Sequence, residues 1–186
     1  RTACLNGLTE FLRKAGLRNP SPRVVASGGR EQAYEDFRTA LRQGKAAMLL
    51  VDSETPVTAA SSWEHFVARQ SGQWSKPDAA TNDHCHLMVQ CMENWLLADR
   101  ETLRIFFGQG YRETALPAIS ANIETIPKLT VLRSLSEATK NCKTKARYGK
   151  GEHSFDLLAR IDPAKVMVAS GWARHFITAI AKALNP

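Results

Sequence analysis

The sequence predicts an α/β domain, and three observations carry that expectation. Lys45–Val51 is a continuous apolar run rather than an alternating one, the pattern of a strand covered on both faces in a parallel sheet. The first fifty residues read helix, strand, helix, strand, which calls for layered α/β architecture. The chain is 186 residues long, with 44% apolar and 23% charged residues, ordinary values for one globular domain. A chain of this size buries about 70% of its unfolded surface, so its core needs no disulfide or metal.

The elements follow in order. Leu5, Leu8, Phe11 and Leu12 recur at helical spacing, and Gly16 stops that helix. Arg23–Ser27 is a short β-type run closed by Gly28 and Gly29. Arg30–Gln43 is helical again, with Ala33, Tyr34, Phe37, Ala40 and Leu41 on one face. The apolar strand follows, and then residues 53–83, rich in Ser, Thr, Pro, Asp and Gln, read as a long, partly ordered insertion. His84–Val89 is a further strand. Glu93 opens a helix, and Asp99 caps another that runs through Phe107 to Gly108. Residues 111–127 are irregular. Residues 128–186 form a helical C-terminal part: Lys128–Lys140, Phe155–Ile161, Ala164–Ala169 and Trp172–Leu184, the third opened by Asp162 as cap and Pro163 at the first helical position. A single domain over 1–186 is expected.

Composition excludes several classes. No run approaches the ~18 apolar residues of a membrane span. Cys4, Cys85, Cys91 and Cys142 are scattered with no C-x-x-C pair, so reduced thiols and a cytoplasmic setting are expected. The net charge is +7 and unevenly spread: +5 over residues 1–50, −4 over 51–100, +5 over 101–150 and +1 beyond. Basic flanks suit a polyanion, and an acidic centre suits a divalent cation acting on it. The same charges also suit a merely solvated basic surface.

Asp52 and Glu54 stand two apart at the carboxyl end of the apolar strand, the edge where open α/β sheets bind ligands. Residues i and i+2 of an extended chain point the same way, so the pair is expected to share one Mg²⁺ or Mn²⁺. The pattern equally suits Asp52 capping the next turn. Glu93 is a further acidic candidate, although a carboxylate in a first helical turn is already favoured by the helix dipole. The segment 140–153 holds five cations, and Lys143, Lys145, Arg147, Lys150 and His153 are the candidate phosphate contacts. Its Gly149 and Gly151 would offer backbone amides and Tyr148 a stacking face. Gly28-Gly29-Arg30 is a weaker phosphate candidate at a helix start. His84, Cys85, His86 and Cys91 match no structural zinc spacing. The chain contains no nucleophile elbow, Walker loop or dinucleotide fingerprint.

Val51–Glu54, the string His86-Leu-Met-Val-Gln-Cys-Met-Glu-Asn-Trp-Leu-Leu-Ala-Asp99, Tyr148–His153 and the stretch from Ile161 through Arg174 resemble an uncharacterised bacterial "domain of unknown function" family. That family is similar to RloB-like proteins and, more distantly, to the Toprim fold of topoisomerases, primases and OLD-type nucleases. The resemblance spans nearly the whole chain. It implies a Toprim-like three-layer fold with a central, mostly parallel sheet, and an acidic metal site. Asp52 and Glu54 take the place of its D-x-D pair, with Glu for the second Asp, and Glu93 resembles a further acidic position. The Glu that follows the first Toprim strand has no match; it would lie before Arg1 or be absent. The resemblance also implies an ATPase partner in a phage-defence locus.

Two function classes follow. One is a Mg²⁺-dependent nuclease in which Asp52 and Glu54 hold the metal and Lys143, Lys145 and Lys150 bind the backbone. The other is a non-catalytic nucleic-acid- or partner-binding subunit, suggested by the unmatched Glu and the Glu-for-Asp replacement. An effector enzyme acting on RNA or a nucleotide would share the metal site of the first.

Overall fold

The computed structural model describes residues 1–69 and 74–185. Its sheet has two parallel strands among the described residues, β1 (Leu49–Asp52) and β2 (Cys85–Met88), in register Leu49 to Cys85 through Asp52 to Met88. Helix α1 (Thr2–Lys14) buries Phe11 and Leu12, and Arg13 and Lys14 complement the dipole at its last turn. Helix α2 (Arg30–Arg42) buries Tyr34 and Phe37. Between the strands lies α3 (Ser62–Val67), capped by Ser61. A short buried helix, α4 (Met92–Leu96), follows β2 directly, and Asp99 caps α5 (Arg100–Phe107) by accepting the Thr102 amide. Four helices complete the chain: α6 (Lys128–Ala138), α7 (Ser154–Arg160), α8 (Pro163–Ala169, capped by Asp162) and α9 (Gly171–Leu184).

Two apolar clusters sandwich the sheet. Leu49 and Val51 join Leu87 and Val89 in an aromatic cluster with Tyr34, Phe37, Trp63, Phe66 and Trp74. Leu50 and Met88, which alternate with them, pack against a larger helical cluster around Phe11, Trp95, Phe107, Leu135, Leu157 and Phe176. The continuous apolar strand is therefore explained: β1 buries Leu49 and Val51 in one cluster and packs Leu50 against the other. The C-terminal helices belong to the same core as α1. Gly7 shows how tightly: a Cβ there would stand 2.5 Å from the Phe155 carbonyl oxygen, so only glycine admits α7 at that distance.

Several expectations are corrected. Arg23–Ser27 forms no strand and joins no ladder; Val24 packs against the helical cluster, while Val25 is 64% exposed. A multi-stranded central sheet is thus reduced, among the described residues, to two strands in a mostly helical α/β fold. The 53–83 insertion contains α3 and a 3-10 turn, Asn82–His84, and its Trp63, Phe66 and Trp74 are core. Residues 70–73 of that insertion lie outside the described residues. No helix of the described residues is long and apolar enough to cross a membrane. All four cysteines are free.

Candidate functional site

β1 ends at Asp52, and this end point determines what its neighbours can do. The Ser53 and Glu54 amides still donate to the Met88 and Gln90 carbonyls, at 3.1 and 2.9 Å, so the chain follows β2 a little further. Glu54 then adopts φ +68°, a left-handed conformation that L-residues occupy at a cost. The extended-chain argument that puts i and i+2 on one side fails at that residue. Asp52 and Glu54 consequently have different partners. Glu54 ion-pairs with Lys128, the first residue of α6. Burial pushes its carboxyl up, but Lys128, aided by Arg30 and Lys150, holds it below the ordinary glutamate value.

Asp52 meets Glu93 instead. One Asp52 oxygen accepts the Met92 amide at 2.9 Å, at the start of α4. The other lies 3.7 Å from the Lys150 ammonium, and Glu93 Oε2 lies 3.5 Å from the same nitrogen. Burial, reinforced by the Glu93 and Glu54 charges, pushes the Asp52 carboxyl up to about 6 despite Lys150. Lys150 itself is held above an ordinary lysine, because Glu93 and Asp52 outweigh its desolvation.

Glu93 is only 1% exposed, although it lies in the first turn of a helix, where carboxylates usually face water. The whole stretch Val89–Leu97 is buried. Asn94 fixes it by donating to the Ile123 and Ile126 carbonyls at 2.8 and 2.9 Å. Glu93 Oε1 accepts the Ser154 hydroxyl at 3.1 Å and the Tyr148 hydroxyl at 3.3 Å. Glu93 Oε2 is buried without a hydrogen-bond partner. Cys91, beside this pair, has its thiol pushed up to about 12 by burial and by the Glu93 and Asp52 charges.

The family model for a domain of unknown function, DUF4276, matches residues 1–181. The chain belongs to this family. No curated protein and no solved structure matches it.

The basic segment is less uniform than its sequence suggests. Lys143 is exposed and has no ion-pair partner among the described residues. Lys145 is also exposed, its ammonium 4.5 Å from the Phe106 ring centre. Arg147 is bound to Glu137 at 2.8 Å and is tied to α6. Lys150 reaches inward to the carboxylates. His153 is buried, its Nδ1 accepting the Gly149 amide at 3.2 Å, so it is not a surface phosphate contact. The Gly151 amide donates to Ser154 Oγ at 3.1 Å. Both glycine amides therefore serve the loop itself rather than a ligand. Tyr148 is buried too, which corrects its expected role as a stacking face. Arg30 stacks over Trp74 and Phe66, 5.0 and 5.7 Å from their ring centres. His84 lies outside β2 and accepts the Thr81 amide through Nδ1, so it does not share a strand face with His86.

Among the described residues no group of three His, Cys, Asp or Glu side chains gathers to hold a metal. Asp52 and Glu93 still form a two-carboxylate donor set of the kind Mg²⁺ accepts while keeping several waters. Their facing oxygens share one cation already, and one of them is an orphaned buried acceptor. The residues present thus fit a hard divalent ion at Asp52 and Glu93, with Glu54 engaged elsewhere. An open cleft of about 490 Å³, lined by Ser61, Asn82, Asp83, Glu124, Trp172 and His175, lies apart from this cluster; its Glu124 caps α9 through Ser170 Oγ and the Trp172 amide.

Proposed function

We propose that this chain is a Mg²⁺- or Mn²⁺-dependent nuclease that cleaves phosphodiester bonds of nucleic acid, with Asp52 and Glu93 holding the ion. One observation carries the reading: the two carboxylates converge on a single cation at the carboxyl edge of a buried parallel sheet. When bound, the ion supplies a water made nucleophilic at neutral pH and neutralises phosphoryl charge. Asp52 binds in its ionised form, and burial of Glu93 keeps bulk water from competing for its free oxygen. Lys150, which faces both carboxylates, would neutralise the scissile phosphate. Exposed Lys143 and Lys145 extend the positive surface toward the flanking backbone. The Toprim-like arrangement, and the phage-defence setting with an ATPase partner, belong to this proposal through the family resemblance. The test is nicking of supercoiled plasmid with Mg²⁺ or Mn²⁺, comparing wild type with Asp52→Ala. Cleavage lost in the variant supports the reading; equal cleavage by both removes it.

A second reading is favoured by one specific observation: every carboxylate of the cluster already faces a lysine, Glu54 with Lys128 and Asp52 and Glu93 with Lys150. An internally neutralised site suits a non-catalytic subunit that binds nucleic acid or a partner. That reading predicts salt-sensitive nucleic-acid binding with no turnover at any divalent concentration.

A further inference from the structure

The loop that delivers Lys150 also grips Glu93. Tyr148, Lys150 and Ser154 lie within seven residues, and all three side chains meet that one buried carboxylate. The Tyr148 and Ser154 hydroxyls both lie within reach of its Oε1 and 2.8 Å from each other, so their two hydrogens are shared among three contacts. The Gly151 amide donates to Ser154 Oγ, so the short loop closes on itself around the contact. The Tyr148 amide is fixed in turn by Thr139 Oγ1 at 2.7 Å. With Oε1 held on one side, Oε2 has no hydrogen-bond partner and faces Lys150.

We propose that Tyr148 and Ser154 are positioning residues that lock Glu93 so that its second oxygen is presented beside Asp52, and that this lock sets the cluster's affinity for a divalent cation. The inference rests on the metal-site reading above. A carboxylate that loses one of two buried donors turns toward the remaining polar groups, because an unsatisfied buried acceptor is costly. The geometry at Lys150 then loosens together with the donor set.

The experiment uses the full chain as wild type, Tyr148→Phe, Ser154→Ala and the conservative Ser154→Thr, each checked for an unchanged near-UV circular dichroism spectrum. Tyr148→Phe removes only an oxygen and keeps the fold measurable if Ser154→Ala fails. Two quantities are measured: Mn²⁺ affinity, by electron paramagnetic resonance of the free ion, and the acylation rate of Lys150 relative to Lys143 in metal-free protein, by mass spectrometry. Each hydroxyl deletion is expected to weaken Mn²⁺ binding about tenfold. Each should also raise Lys150 acylation several-fold, and Ser154→Thr should restore both. Unchanged Lys150 acylation in the folded deletions overturns the positioning role, whatever happens to affinity. A wild type that binds no Mn²⁺ sinks the metal-site reading instead, and the acylation rates then decide the lock by themselves.

Discussion

Asp52 and Glu54 are two residues apart, yet they live in opposite electrostatic regimes. Asp52 is mostly buried, is backed by a second buried carboxylate, and has its carboxyl raised to about 6. Glu54 itself takes the left-handed conformation, is roughly a third exposed, and is lowered chiefly by its ion-pair partner Lys128. The first arrangement sets two carboxylates against one shared ammonium, so negative charge is in excess there. The second cancels charge locally and has the form of an ordinary structural ion pair. The comparison teaches that carboxylate spacing along a chain does not define a donor set; the shared cation does.

The largest expected difference between the two pockets lies in catalysis. Asp52→Ala and Glu93→Gln should each lower divalent-dependent nicking by about 100-fold or more. Glu54→Gln should lower it by no more than about fivefold, measured as initial rates on supercoiled plasmid. Equal losses at all three positions would restore Asp52 and Glu54 as a pair.

Folding stability sharpens the same contrast through pH. The Asp52 carboxyl is raised in the folded protein from 3.8 to about 6, so the folded state holds a proton that the unfolded state has released across that window. Stability should therefore fall as pH rises from about 4 to 6, by up to about 3 kcal/mol, and Asp52→Asn should abolish that slope. Glu54 has the opposite sign. Its lowered carboxyl contributes stability above its ordinary value of 4.5, and that contribution is lost on acidification. Urea unfolding of metal-free wild type, Asp52→Asn and Glu54→Gln between pH 4 and 7 separates the two.

Smaller effects are expected from the cations. Lys150→Met leaves two buried carboxylates facing each other and should cost about 1–2 kcal/mol, short of the fully buried range because Lys150 is half exposed. Lys128→Met should cost less than about 1 kcal/mol. Thermal melts at pH 7 give the comparison, and the order reverses if Glu54 is the more buried charge in solution. Smallest of all, Lys143→Gln and Lys145→Gln should each reduce the salt slope of nucleic-acid binding by about one unit, with little change in nicking of short substrates.

Much of the scaffold was legible before any coordinates. The caps at Asp99 and Asp162, the helices from Arg30 and Lys128, and the two apolar strands all follow from local chemistry that neighbours a few residues away can satisfy. Arg23–Ser27 misled because β-type composition describes a residue's tolerance for extended backbone, not the existence of a ladder partner. His153 and Tyr148 misled because a basic, glycine-bearing run reads as solvated surface, while its two bulkiest rings are anchored in the interior. The run Tyr148-Gly-Lys-Gly-Glu-His-Ser154 did carry a signal: a hydroxyl, an ammonium and a second hydroxyl, spaced by glycines that allow a tight loop.

By itself, then, the sequence determined the strand that ends in Asp52, the helix that begins around Glu93, and a lysine-bearing loop further on, because each depends on periodicity, capping or composition within a dozen residues. Only the tertiary structure decided that Glu93, forty-one residues beyond Asp52, is its companion while Glu54 is not. The reason is physical: the convergence of buried charges is set by which segments share a desolvated interior, and one left-handed residue at the end of a strand suffices to send a neighbouring carboxylate elsewhere.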